Sequence, residues 1–231
     1  VPANLAEKIM IPRLRPEEQR REETLEAETA QDILDYLSTY QYASTEHAVF
    51  AVLWETGIRL GTAYSLDVED LDTTNRRLTL VHRPDQGTQL KNGSGGERPV
   101  ALSEQLATVL DQYVDDRRTP ATDDYGRRPL FSTSNGRMCR TTIRRLVYRV
   151  TAPCFRNERC PGCVDGANKC PEAVSPHSIR RGSITHLLSQ DVPVEIVGDR
   201  MDVSRDVLDK HSDKRSEEVK LEQRRGYLDK I

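Results

Sequence analysis

Three short segments hold side chains suited to gripping a phosphate. Thr56-Gly57-Ile58-Arg59-Leu60-Gly61 sets an arginine just after a glycine fit to end a helix, and His177-Ser178-Ile179-Arg180 places a histidine and an arginine at i and i+3. On one helix those two positions share a face, so imidazole and guanidinium can reach a single phosphate together. Lys91 heads the run Lys91-Asn92-Gly93-Ser94-Gly95-Gly96, a glycine-rich turn from which an ammonium can swing a point charge or a proton donor into a groove. None of these is diagnostic alone: arginines near helix ends commonly satisfy carbonyls, and H-x-x-R tetrapeptides arise by chance.

A second constellation is Cys154-x5-Cys160-x2-Cys163-x6-Cys170, with Pro161 and Gly162 inside the C-x-x-C. Four thiolates so spaced suit a structural tetrahedral zinc, which would hold a loop that has no core of its own. Free thiols or a disulfide pair are the alternatives. The loop ends seven residues before His177, so a metal there would stiffen the approach to it. Cys139 stands apart among arginines and reads as a helix-start residue. A third feature is the basic run Arg137, Arg140, Arg144, Arg145 and Arg149, followed further on by Arg180 and Arg181. It lines a groove for phosphates or is a solvated helix face paired with acids.

The elements that must position these residues read as follows. Residues 1–28 are polar and charged, with Pro2, Pro12 and Pro16, and are expected to be a linker or tail left by an N-terminal domain. Thr29 precedes a helix with Ile33, Leu34, Leu37 and Tyr40 on one face, and Ser44–Glu55 is a second helix carrying Ala48, Val49, Val52 and Leu53. A short helix from Leu60 to Leu66 leads into the acidic turn Asp67–Asp72. Arg77–His82 and Arg98–Leu102 alternate like strands around a tight glycine turn. Further helices are expected from Ser103 through Tyr113, from Thr142 through Val150, and over Ile179–Ser189, Glu195–Met201, Arg205–Lys210 and Glu217–Leu228. His47, His82, His186 and His211 read as structural.

The chain has 231 residues, enough for one large domain or two small ones, with 36% hydrophobic and 31% charged residues. No run of eighteen apolar residues suggests a membrane span, and Val1-Pro2-Ala3-Asn4 does not open a signal peptide, which points to the cytoplasm and to reduced thiols. The net charge of −3 argues weakly against a polyanionic partner, but the acids and bases are segregated along the chain. Seven of the 34 basic residues are lysine, at 8, 91, 169, 210, 214, 220 and 230. Arginine in place of lysine alongside abundant acids fits a salt-rich cytoplasm or, equally, a GC-rich genome.

Taken in order, the segments resemble tyrosine recombinases (phage integrases) of haloarchaeal type. Thr56–Arg59 followed by Leu66-Asp67-Val68-Glu69-Asp70-Leu71-Asp72 resembles the first arginine box, Lys91 before Glu97–Leu102 the β-hairpin lysine, and His177–Arg180 with Thr185-His186-Leu187-Leu188 the second box. Met201–His211 resembles the segment leading to the nucleophile, and the likeness runs from about residue 27 to residue 225. It implies a mainly α (α+β) fold, a helical bundle with a small antiparallel β-sheet, the catalytic core of DNA breaking-rejoining enzymes, over residues 29–231. It also implies site-specific recombination or integration by cleaving and rejoining duplex DNA, without metal or nucleotide. Cleavage builds charge on the equatorial phosphate oxygens, which two arginines can hold. By resemblance Arg59 and Arg180 are that clamp, Lys91 the general acid, and His177 the base or phosphate ligand. A tyrosine would attack to give a 3′-phosphotyrosyl intermediate. The expected partners are double-stranded DNA and further copies of the chain, four to a synapse, with no membrane. Arg137, Arg140, Arg144, Arg145 and Arg181 are expected to contact the DNA backbone.

Two positions depart from the family. Its members carry His or Trp nine residues before the tyrosine, where this chain has Val203; haloarchaeal relatives often read D-V-S there. Those relatives read K-H-Y-D where this chain has Lys210-His211-Ser212-Asp213. Serine is shorter by a phenol ring and a poorer leaving group on rejoining, so Ser212 implies a cleavage-deficient protein. Tyr227 lies well past the expected position and reads as a helix packing residue. A decayed integrase that binds DNA as a regulator is the alternative, and a zinc-stabilised interaction module without DNA is a third.

Overall fold

The computed structural model describes residues 23–160 and 170–208, together with Leu221 and Arg225. At its centre lies α2 (Thr45–Thr56), preceded by α1 (Ala27–Tyr40). Ser44 caps α2 by accepting the His47 N–H, and Gly57 ends it in the left-handed conformation at φ 58°. Beyond the expected Ala48, Val49, Val52 and Leu53, every residue from His47 to Trp54 is buried. A helix that is apolar all round needs neighbours on every side, and α1, α4 (Glu104–Gln112), α5 (Arg140–Thr151) and α6 (Pro176–Ser189) supply them. His47 accepts the Ala43 N–H through Nδ1, a structural role as read from the sequence.

α3 (Leu60–Ser65) follows α2 and leads to a three-stranded antiparallel sheet, β1 (Leu71–Asp72), β2 (Arg77–Leu80) and β3 (Arg98–Ala101), in that spatial order. Leu78 pairs with Val100 and Leu80 with Arg98, so the leucines and Val100 face the core. Direct pairing of Leu80 with Arg98 replaces the expected tight turn by a long connection, residues 81–97, with 3-10 turns at Pro84–Gln86 and Gly93–Gly96. Ser103 starts α4 by capping Leu106, and both its N–H and hydroxyl donate to Glu55 of α2. A two-stranded hairpin, β4 (Ser132–Thr133) and β5 (Gly136–Arg137), then precedes α5.

The last described elements, α6, α7 (Val194–Met201) and α8 (Arg205–Val207), share a second apolar cluster of Ile184, Leu188, Val197, Met201 and Leu208. The expected helix over Glu217–Leu228 lies outside the described residues apart from Leu221 and Arg225, and residues 1–22 lie outside them as well. Leu25 is buried and donates its N–H to the Ser178 carbonyl, so the packed chain begins before Thr29.

Gly182 of α6 lies directly beneath this strap: a Cβ there would collide with the Leu25 carbonyl oxygen and sit 3.0 Å from the Trp54 ring. We expect Gly182→Ala to lower unfolding free energy by about 1–3 kcal/mol, as overpacking does. A urea melt that coincides with the parent's would show that the strap moves aside without cost.

Candidate functional site

Arg59, Lys91, His177 and Arg180 come from three separate parts of the fold and line one open cleft of about 1430 Å³. That exceeds the roughly 300–1,000 Å³ of an ordinary small-ligand pocket and suits an extended chain. Its walls carry seven cationic side chains against three carboxylates, although the whole chain is net negative.

Each residue is fixed by its element. Ser175 caps α6 by accepting the Ser178 N–H at 3.2 Å and Pro176 sits at the first turn, so the helix starts three residues earlier than expected and includes His177. The i, i+3 relation therefore holds. His177 stands at the exposed edge, whereas Arg180 is buried, 6% exposed. Arg180 donates to the Gly57 carbonyl at the end of α2 and to the Met201 carbonyl at the end of α7, the latter at 2.7 Å. Arg59 occupies the N-cap position of α3 and donates to the carboxylate and, at 2.7 Å, the carbonyl of Asp202. Gly57 makes this junction possible: besides its positive φ, a Cβ there would overlap the Met201 side chain.

Lys91 is exposed on the 81–97 connection. His82 holds the base of that connection, accepting the Leu90 N–H at 2.9 Å and donating its own backbone N–H to Glu97 at 2.7 Å. Arg98 adds bonds to the Gly96 and Arg200 carbonyls.

Electrostatically the cleft is short of anions. Burial, then the charges of Arg59 and Arg98, bring Arg180 down to about 9, so it remains protonated at neutral pH. Burial lowers Arg98 and Arg200 too. His177 falls below its ordinary 6.5 through desolvation and then the cations Arg181, Arg180, Lys91 and Arg59. A neutral imidazole beside guanidinium groups can accept a proton, and an incoming phosphate would offset the mutual repulsion.

The arginine run divides. Arg144 and Arg181 line the cleft. Arg145 and Arg140 are exposed on α5, Arg140 with its guanidinium 5.0 Å from the Tyr64 ring centre. Arg149 pairs with Glu46. Arg137, expected among the DNA contacts, has a side chain only 6% exposed, held by Asp67, by Asp123 at 2.8 Å and by the Tyr64 and Leu66 carbonyls. Its donors turn inward because Asp67 is itself buried and also takes Arg83 at 3.3 Å and Arg127 at 3.2 Å. Arg137 is thus part of the framework.

Of the cysteines, Cys160 and Cys170 bring their Sγ atoms to 3.3 Å as thiols, and Cys154 packs against the same small cluster. Cys163 lies outside the described residues, as does Ser212. Among the described residues no group of three or more His, Cys, Asp or Glu is arranged to hold a metal. Cys139 takes the N-cap position of α5, in keeping with a helix start.

Sequence reasoning assigned no role to Asp202, Asn92 or Arg98, all of which line the cleft. The available signal was an aspartate just past a helix end, where a left-handed residue is tolerated; Asp202 has φ 55°.

Comparison with known proteins follows the same lines. The model of the Phage integrase family matches residues 23–206. "Tyrosine recombinase XerC" of Mycobacterium tuberculosis (strain ATCC 25177 / H37Ra) is 26% identical over 156 residues, covering 67% of this chain and 44% of that protein. A protein of Methanocaldococcus jannaschii described as "Probable integrase/recombinase protein" is 26% identical over 182 residues, 75% of this chain and 47% of its own length. The chain thus spans less than half of these relatives. Among solved structures, XerA recombinase superposes with TM-score 0.64 at 18% identity over 94% of this chain and 66% of that one. The Tn1549 transposon integrase in complex with circular intermediate DNA gives 0.65 at 17%, over 91% and 66%. At such identities the likeness is one of fold: mainly α, with a small antiparallel sheet, as in the catalytic domains of tyrosine recombinases.

We expect the His177 imidazole to titrate below 6.5 in NMR of the free chain. Its folded value lies below the unfolded one, so the stability linked to it is present above about pH 6.5 and is lost as the pH falls through the folded value. A His177 resonance titrating at or above 6.5 would mean that the cationic surroundings do not act on it.

Proposed function

This chain belongs to the phage integrase family, and on that footing we propose that it grips a phosphodiester of double-stranded DNA for site-specific recombination or integration, with strand cleavage disabled at Ser212. The observation that carries this reading is the convergence of Arg59, Lys91, His177 and Arg180 on one cation-lined cleft. Arg59 and Arg180 hold the equatorial phosphate oxygens, Lys91 protonates the departing 5′ oxygen, and His177 assists the nucleophile or holds the phosphate. In the full reaction a side-chain oxygen bonds to phosphorus as the bond to the 5′ oxygen breaks, and the reverse step rejoins the strand. No metal or nucleotide is needed, because the cations of the chain carry the developing charge.

Arg140, Arg144, Arg145 and Arg181 contact the DNA backbone beside the cleft, and Arg137 is left out of that set because it is committed to Asp67 and Asp123. Copies of the chain assemble on DNA as a tetramer, in the cytoplasm. Residues 1–28 serve as the linker and 29–231 as the catalytic domain, with Leu25 packed against it. The haloarchaeal assignment is supported by the scarcity of lysine and the run Asp202-Val203-Ser204. Ser212 also favours a second reading, a regulator that occupies its site without cutting.

Ser212→Tyr tests the first reading. Incubated with nicked duplex libraries, the revertant should form covalent protein–DNA adducts on a denaturing gel while the parent forms none. Arg59→Ala in the revertant should cut adduct formation at least about 100-fold, the scale for losing one oxyanion donor. Adducts from the parent itself would overturn the claim of disabled cleavage.

Cys154, Cys160, Cys163 and Cys170 further form a structural zinc site in this reading, supported by the approach of the Cys160 and Cys170 sulfurs. Native protein should carry about one zinc per chain by mass spectrometry and lose it, with thermal stability, on Cys160→Ser. Metal-free protein with all five thiols titratable, Cys139 included, would instead show the free-thiol alternative.

A further inference from the structure

We propose that Asn92 and Asp202 form a latch that positions Lys91, by tying the loop that carries the lysine to the arginine clamp. Asn92 is next to Lys91, and its amide nitrogen donates to both carboxylate oxygens of Asp202, at 2.8 and 2.9 Å, across 110 positions of sequence. The same carboxylate accepts from Arg59. The backbone carbonyl of Asp202 accepts from Arg59 at 2.7 Å and lies 3.4 Å from the Arg180 guanidinium. One residue therefore touches both clamp arginines and the neighbour of the lysine.

The loop needs such a tie. Its glycines at 93, 95 and 96 leave the backbone freedom that must be given up before an ammonium can sit at a fixed distance from a leaving oxygen. The bonds of His82 with Leu90 and Glu97 close the loop on itself without directing it to the cleft. Asp202 is suited to the other end. Two oxygens, each with two lone pairs, accept a guanidinium and an amide together, and its left-handed backbone ends α7 where the side chain faces the loop.

The inference rests on the reading of Lys91 as general acid, and the test keeps the two apart. In the Ser212→Tyr background, Asn92→Ala and Lys91→Ala are compared on nicked duplexes whose scissile 5′ bridging atom is oxygen or sulfur. A thiolate leaves without a proton, so sulfur removes the need for the acid. Lys91→Ala should lose about 100-fold on oxygen, and Asn92→Ala about tenfold, with both within about twofold of the parent on sulfur. If sulfur does not rescue Lys91→Ala, the acid reading fails. If it does, and Asn92→Ala either matches the parent on oxygen or is impaired equally on both substrates, the latch is overturned. Amide hydrogen exchange on the chain with Ser212 intact decides the matter without cleavage. Asn92→Ala should speed exchange over residues 91–96 at least about fivefold while that of α2 stays unchanged, and equal exchange in the loop would sink the proposal.

Discussion

A guanidinium inside a protein must find acceptors or it will not be buried, and Arg180 meets that demand with the two carbonyls that end α2 and α7. Much of the site follows from this one requirement. Gly57 must turn left-handed so that its carbonyl faces α6, which releases the chain in the extended form that sets Arg59 at the start of α3. Met201 must end α7 at the same point, which delivers Asp202 to Arg59. Two helix ends that lack intrahelical acceptance for their last carbonyls are thus satisfied by one side chain of a third helix. The clamp and the packing of α6 between two apolar clusters are consequences of the same contacts.

Two carboxylates organise the cations on either side of α3, and they do so differently. Asp67 is sealed, with Arg83, Arg127 and Arg137 around it, and locks the acidic turn after α3 to the segment that enters β4 and β5. Removing one partner of such a buried set costs about 3–5 kcal/mol, so it behaves as framework. Asp202 is partly exposed, faces the cleft and engages Arg59 and Asn92. A net charge of −3 is therefore compatible with a polyanion partner: many acids neutralise arginines inside the framework, and the cleft wall keeps an excess of cations.

The boxes around Arg59 and His177-x-x-Arg180 were legible in the sequence because each is local: a glycine past a helix end, a serine–proline start, two residues on one helical face. The mainly α architecture with a small sheet was legible for the same reason. The two-residue strands β1, β4 and β5 were not, since so short a strand carries no period to detect. The central position of α2 was not legible, because a continuous apolar run shows no face. Arg137 and Arg144 look alike in sequence, and only partners 70 and 14 positions away separate framework from cleft. Asp202 and Asn92 escaped notice because their meaning lies in a contact across 110 positions.

On the proposed reading, Ser212 and the electrostatics of the cleft act on different steps. Burial leaves Arg180, Arg98 and Arg200 below the ordinary arginine range, and neighbouring cations add to this at Arg180 and Arg98, so the free protein holds repulsion that a bound anion relieves. By linkage, whatever stability the cleft gives up when empty returns on binding and adds to affinity for a phosphate. None of that balance involves the nucleophile's oxygen. On the proposed reading, serine at residue 212 removes bond making, whereas the three-element convergence, the inward-facing Arg180 and the cation excess still favour a phosphate in the cleft.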